Sequence, residues 1–292
     1  MKFIYKFNAM STPCELIIYE AQKSKADSVA ESVVQEVKRL EKKYNYYNKD
    51  SYLSLINARK EFKLDSESKT LLSRAKQYYK LTDGIFDITI ATIKDLYKSE
   101  LSLDSLNKKR DELLPFVGCE HFSIKKDKII FNNEFTKIDL GGFVKEYSVD
   151  RSVNIIKKAK IKSALINYGG DVYALGKKPD GKCFMVGIKD PDNPQEHIEN
   201  IEIENQALTT SASYERNYVI EQEKLSHIIS KNETLNSPRS VTIISSNCIE
   251  SGVYSTALMI DSTLKHNNKA IIISWFIRSY VKIISVFKTF WI

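Results

Sequence analysis

The sequence predicts an α+β fold, a single two-layer domain in which helices pack on a mixed or antiparallel sheet. Three observations carry this. Amphipathic helical stretches and alternating strand-like stretches share one chain. From residue 183 onward, strand-like runs follow one another. No period of 20 to 50 residues repeats and no low-complexity linker intervenes, so one continuous domain is favoured over two.

Residues 2 to 8 and 14 to 20 alternate as two strands around the turn-like NAMSTP. From Asp27 to Tyr44, the apolar residues Val29, Val33, Val37 and Leu40 recur at helical spacing between lysines and glutamates, which predicts a helix covering one sheet face. After the loop YNYYNKDSYLSLIN comes a second helix, Ser66 to Leu81, with Gly84 placed to end it. HFSIKKDKIIFNN reads as a hairpin turning at KKDK. A third helix spans 144 to 160 and leads into the strand SALINYG. The runs CFMVGIKDP, HIENIEIENQALTTS, NYVIEQEKLSHII and SVTIISS then read as strands.

The formal charge of +7 comes from 44 Lys and Arg mixed with 37 Asp and Glu. No basic arm or block results, which argues against a nucleic-acid partner and leaves a modest preference for anionic ligands. Cys14, Cys119, Cys183 and Cys248 lack metal-site spacing and the density of a disulfide scaffold, so buried free thiols are expected. The opening MKFIYKFNAMSTPCELIIYE alternates like a strand and has no secretory-signal pattern; a cytoplasmic chain is expected.

Four of the ten glycines form two pairs, Gly141–Gly142 and Gly169–Gly170, each beside an aspartate. KIDLGGFVKEYSVD reads as a strand passing through the first pair into a helix. Such a turn presents backbone N–H groups and a positive dipole end that suit a phosphate. The second pair lies between two strands, where it would let the backbone pass close to a ligand or a neighbouring strand. For either pair the plainer reading is an ordinary tight turn. Neither GxGxxG nor GxxxxGK[ST] is present, so neither common nucleotide fold is supported.

YNKDSYLSLIN, TDGIFDIT, IDLGGFVKEYSVD, LINYGGDVYALG, VGIKDP, ALTTSASYERNY, SHII and SVTIISSNCIESGVYSTALMI stand in the order seen in the FAD:protein FMN transferases, the ApbE family, which the chain resembles over roughly residues 1 to 265. The resemblance implies Mg²⁺-dependent transfer of FMN from FAD to a threonine or serine hydroxyl of a target flavoprotein, with release of AMP. The target would carry a segment like acidic-Gly-x-x-[Ser/Thr]-[Gly/Ala]-[Ser/Thr]. Members of the family are often periplasmic lipoproteins. The alternative is a catalytically weak relative that binds or presents flavin.

Carried over by position, the resemblance implies metal ligation by the Gly142 carbonyl and by Thr256, with Ser255 beside it. The aspartate expected four residues before Thr256 falls on Gly252, and Glu250 is the nearest carboxylate in sequence. FAD contacts fall on Met10, Tyr46, Tyr47, Phe86, Asp87, Asp139, Lys145 and Ile229. The aromatics and the methionine offer polarisable surface to a flavin or adenine ring. His227 matches a histidine near the reaction centre, where it could take the proton of the attacking hydroxyl.

The transferase domain is expected to occupy 1–268 and an atypical apolar tail 269–292. Ser274, Arg278, Lys282, Ser285 and Thr289 recur every three or four residues, with Lys288 alongside. As a helix, this segment carries one narrow basic stripe, three cations and no acid. That pattern suits contact with a membrane surface better than a transmembrane span. The alternatives are a core helix, or a tail standing where a final strand has been lost.

Overall fold

The computed structural model describes residues 1–292 except 100, 194, 214–216, 222, 227, 232–237, 275–281 and 285–292. Strands β1 (Lys2–Ala9) and β2 (Thr12–Tyr19) form a hairpin in which Ala9 faces Thr12. Met10 and Ser11 alone make the turn, both with left-handed φ, 51° and 58°. Two-residue hairpin turns need that hand to match the strand twist, and neither residue adopts it without strain.

Helix α1 (Lys23–Tyr44) buries Val29, Val33, Val37 and Leu40, the stripe its spacing predicts. Ser51 caps α2 (Tyr52–Asn57), and Asp65 caps α3 (Ser66–Leu81). Beyond α3, the Gly84 amide donates to the Tyr79 carbonyl at 2.7 Å, with Gly84 at φ 81°. The short α4 (Ala91–Lys94) and α5 (Leu103–Leu113) follow. The hairpin of β3 (Phe122–Lys125) and β4 (Lys128–Phe131) turns at Lys126. Helix α6 (Gly141–Lys158) opens on the first glycine pair.

The residues leading into α6 are extended but form no strand. The Asn57 side chain brackets Ile138, donating to its carbonyl at 2.8 Å and accepting from its amide at 2.9 Å. The Asp139 amide donates to the Ile88 carbonyl. The strand read at KIDL is therefore replaced by side-chain pairing that satisfies the same backbone groups.

The remaining elements are β5 (Ser163–Tyr168), β6 (Asp171–Leu175), β7 (Phe184–Lys189), β8 (His197–Ile203), β9 (Gln206–Ala212), β10 (Asn217–Ile220), β11 (Glu223–Ser226), β12 (Ser240–Ser245), α7 (Cys248–Ile260), β13 (Lys269–Ile273) and β14 (Lys282–Ile284). Eight strands make the main sheet in the order β1-β2-β5-β6-β9-β12-β13-β14. Every neighbouring pair in it is antiparallel.

On one face of the sheet, α1 and α6 bury Val33, Val37, Val149 and Val153 against Leu16, Ile18 and Ile166. On the same layer, α3 and α7 bury Leu71, Leu72, Val253 and Ala257 with Val241 and Ile243. The β7–β8 ribbon covers part of the opposite face, setting Phe184, Ile188, Ile201 and Ile203 on Val172, Ala174, Leu208 and Ile271. All five residues of β6 are consequently buried. The run HIENIEIENQALTTS is two strands, broken at Asn205, whose φ is 51°.

The segment expected to begin a tail at residue 269 starts inside the sheet. Residues 269–273 are β13, hydrogen-bonded to β12, and Ala270, Ile271 and Ile272 are buried. Lys282–Ile284 pair with β13 as a strand, not as part of a helix. Ser274 follows β13 and is exposed, and Arg278, Ser285, Lys288 and Thr289 lie outside the described residues. An alternating apolar run with an open sheet edge beside it gains more by completing the ladder than by coiling. All four cysteines are free, with Cys14, Cys119 and Cys248 buried.

Candidate active site

Helices α6 and α7 pack antiparallel, and their register sets the site. Asp150 accepts the amides of Cys248 at 2.7 Å and Ile249 at 3.2 Å, capping the start of α7. Burial pushes the Asp150 carboxyl up to about 6, although those two amides oppose the shift. One turn back along α6 and one turn on along α7, Glu146 lies against Gly252. A Cβ on Gly252 would stand 2.5 Å from the Glu146 Cγ and 3.0 Å from its Cδ. The glycine is required because the glutamate fills the space.

One further turn along each helix stand Gly142 on α6 and Thr256 on α7, at the four-residue spacing that keeps positions on one helix face. Gly142 departs from helical geometry with φ −86° and ψ 18°, and is exposed. Thr256 is half-buried, its hydroxyl 3.4 Å from that of Ser211. Ser255 is fully buried; its hydroxyl donates to the Gly252 carbonyl at 3.0 Å and pairs with Ser211 at 2.9 Å. Of the two neighbouring hydroxyls, Ser255 is the one the fold uses.

Glu146 is buried, and its Oε2 has no hydrogen-bond partner among the described residues. Burial holds its carboxyl well above the usual carboxylate range; Asp171 adds repulsion and Lys145 opposes it. Lys145 itself pairs with Asp171 at 2.6 Å. Burial works against the Lys145 charge, but Asp171 and Glu146 keep its pKa above the ordinary lysine value. Glu250 is held elsewhere. Its amide donates to Asn247 Oδ1 at 3.0 Å, and its carboxylate accepts from Asn247 Nδ2 at 3.2 Å, as a cap of α7.

A second cluster adjoins the first turn of α6. Asp139 accepts the Gly141 amide at 2.8 Å and pairs with Lys94. The Lys94 ammonium lies 5.1 Å from the ring centres of both Tyr46 and Tyr47, and that of Lys98 lies 3.8 Å from Tyr47. Burial opposes the charge on Lys94, yet Asp139 raises its pKa above the ordinary value. Tyr46 donates to Asp95 at 2.9 Å and meets Tyr47 edge-on; Tyr47 is 58 % exposed. Three stretches separated in sequence, 46–47, 94–98 and 139–141, thus form one aromatic and cationic surface at the glycine turn.

Other positions carried over from the sequence are placed differently. Phe86 is buried against Phe143, and Asp87 caps a short 3₁₀ turn by accepting from the Thr89 amide and hydroxyl. Burial raises the Asp87 carboxyl. Met10 sits at the strained hairpin tip with its amide on Glu41. Ile229 is half-buried beyond β11, next to Ile228, which packs on the helix-covered core. His227 lies outside the described residues.

The second glycine pair turns β5 into β6, with φ of 62° at Gly169 and 95° at Gly170. A Cβ on Gly169 would lie 1.9 Å from the Thr12 hydroxyl, so this pair serves hairpin geometry and the close approach of the first hairpin.

A family model described as the ApbE family matches residues 10–269. The chain belongs to the ApbE family. Among curated ApbE relatives, the FAD:protein FMN transferase of Vibrio cholerae is 25 % identical over 227 residues, spanning 73 % of this chain and 67 % of its own. The protein of the same name from Klebsiella pneumoniae is 24 % identical over 268 residues, covering 87 % of this chain and 82 % of its own. Among solved structures, the ApbE protein of Thermotoga maritima superposes with a TM-score of 0.83 at 23 % identity, over 93 % of this chain and 94 % of that one. Flavin transferase ApbE from Vibrio cholerae gives 0.81 at 19 % identity, with 94 % of each chain covered. At these identities the structures establish a shared fold.

Two residues of the candidate site carry no motif in the sequence. Lys94 is one lysine among 44 Lys and Arg, with no local mark. Glu146 did leave a signal, because it falls on the buried stripe with Phe143, Val149 and Val153, where a charge needs a reason.

Proposed function

We propose that the chain is an FAD:protein FMN transferase acting on a threonine or serine hydroxyl of a target flavoprotein. The observation that carries this reading is the first turn of α6. There the Gly141–Gly142 backbone, the Lys94 cation and the Tyr46–Tyr47 pair stand together, offering contacts for a pyrophosphate and for a flat ring. The curated relatives carry the same activity in their names.

In the reaction, the target hydroxyl oxygen bonds to the phosphorus on the FMN side of the FAD pyrophosphate. The bond from that phosphorus to the bridging oxygen breaks, and AMP departs with its electron pair. The hydroxyl proton passes to a base, for which His227 is the candidate. Gly141, Gly142 and Lys94 orient the phosphates, while Tyr47 presents an exposed ring face. Mg²⁺ bound by the Gly142 carbonyl and Thr256 hydroxyl would neutralise charge on the bridging and leaving oxygens. Asp139 holds Lys94 and the α6 amide in place. Among the FAD contacts carried over, Phe86 and Asp87 would act by supporting this wall.

The test is to incubate the protein with FAD, Mg²⁺ and a domain bearing the acidic-Gly-x-x-[Ser/Thr]-[Gly/Ala]-[Ser/Thr] segment, then weigh the domain by mass spectrometry. A covalent FMN adduct with AMP release is expected, and chelation of Mg²⁺ should stop it. FAD bound tightly with no adduct would favour the flavin-presenting alternative, which the bare α-carbon at Gly252 brings into view. The membrane contact proposed for 270–292 involves residues largely outside those described. Among the described residues, no helix is long and apolar enough to cross a membrane.

A further inference from the structure

The resemblance implies a carboxylate at residue 252, and this chain has glycine there. The α6–α7 register sets a buried carboxylate from the neighbouring helix against that glycine. The Glu146 side chain crosses from α6 into the notch a residue-252 side chain would fill, its Cγ 2.5 Å from that Cβ position. Side chains on a helix lean toward its N-terminus. In antiparallel helices, Glu146 therefore leans toward the Gly142–Thr256 rung, and Thr256 leans back toward Glu146.

Buried carboxylate oxygens ordinarily have partners, since desolvating one without compensation costs several kcal/mol. Glu146 Oε2 has none among the described residues. Lys145, next in the chain, is taken by Asp171. Glu250 is taken by Asn247. An oxygen of this kind, set at Gly252 one helical turn from Thr256 on α7 and one turn from Gly142 on α6, would complete with the Thr256 hydroxyl and the Gly142 carbonyl the all-oxygen set a hard divalent cation selects.

We propose that Glu146 supplies the carboxylate ligand of the divalent-cation site, so that the charge has moved from α7 to α6 while the site stays in place. The inference rests on the transferase reading for the site's purpose, but it is tested by metal binding alone. Mn²⁺ is titrated into the folded protein and followed by loss of the free-ion electron paramagnetic resonance signal.

Wild type should take up one Mn²⁺, and Glu146→Gln, which keeps shape and removes charge, should bind it about tenfold more weakly or worse. The double variant Glu146→Gly, Gly252→Asp should recover affinity to within a few fold, because the notch is then free for an aspartate. Circular dichroism melts establish that each variant is folded. Equal Mn²⁺ affinity in wild type and Glu146→Gln, or no uptake by wild type, would overturn the proposal.

Flavin transfer by the same proteins separates the two readings. Wild-type transfer with unchanged Mn²⁺ binding in Glu146→Gln sinks the relocated ligand and leaves the activity standing. A Glu146-dependent Mn²⁺ site in a protein that transfers no FMN does the reverse.

Discussion

At the scale of single residues, the two glycines of the site behave oppositely. A Cβ on Gly142 would meet nothing within 4 Å, and its φ of −86° suits any residue. Gly142→Val should therefore melt like wild type yet lose FAD affinity by at least about tenfold, since the added methyls stand where a ligand would approach the backbone. Calorimetric titration with FAD checks this, and unchanged affinity would remove the turn from the site. Gly252 has no such room. Gly252→Asp alone should lower the melting temperature, corresponding to overpacking strain of roughly 1–3 kcal/mol against Glu146. Glu146→Gly added to it should restore the melting temperature. A single variant as stable as wild type would show that Glu146 leaves the notch readily.

At the scale of elements, α1 and α3 are joined by a charge network centred on Glu67. Arg39 donates to it at 2.6 Å and 2.9 Å, and Lys43 at 2.8 Å. Burial works to raise the Glu67 pKa, but these partners prevail and hold it down at about 2, below the ordinary 4.5. A depressed carboxyl binds fewer protons folded than unfolded. Its stabilisation is full above about pH 4.5 and is lost as the pH falls toward about 2. Because the network lies at the protein surface and Arg39 is exposed, solvent screening limits its worth to about 1 kcal/mol. Glu67→Gln should lower the melting temperature at pH 7, and the difference should close as scans approach pH 2. A constant difference across that range would place the effect in packing.

At the scale of the whole molecule, β13 is an interior strand of the main sheet, between β12 and β14. Its Ala270, Ile271 and Ile272 are 0 %, 1 % and 7 % exposed and pair with β12. A chain stopped after Asn268 loses this burial and leaves β12 as an open apolar edge. The cost of roughly 5 kcal/mol or more is comparable to the stability of an ordinary domain. That protein should fail to melt cooperatively and should aggregate, whereas one stopped after Ser274 should retain a cooperative transition. Two similar melts would mean that β13 is dispensable.

The inward stripe of α1, the Gly84 stop of α3, the KKDK hairpin and both glycine turns were legible because each depends on rules acting within a few residues. Helical period, φ handedness and capping are local properties. The family resemblance pointed to Gly142 and Thr256, but it could not say which side chain packs against Gly252. That Glu146 fills the notch at Gly252, that Lys94 joins Tyr46, Tyr47 and Asp139, and that 269–273 close the sheet instead of starting a tail were decided by tertiary structure. A sequence pattern reveals which face of an element turns inward. Which inward faces meet, and in what register, is set by packing the whole chain at once, where a contact is chosen by shape and charge between residues distant along it.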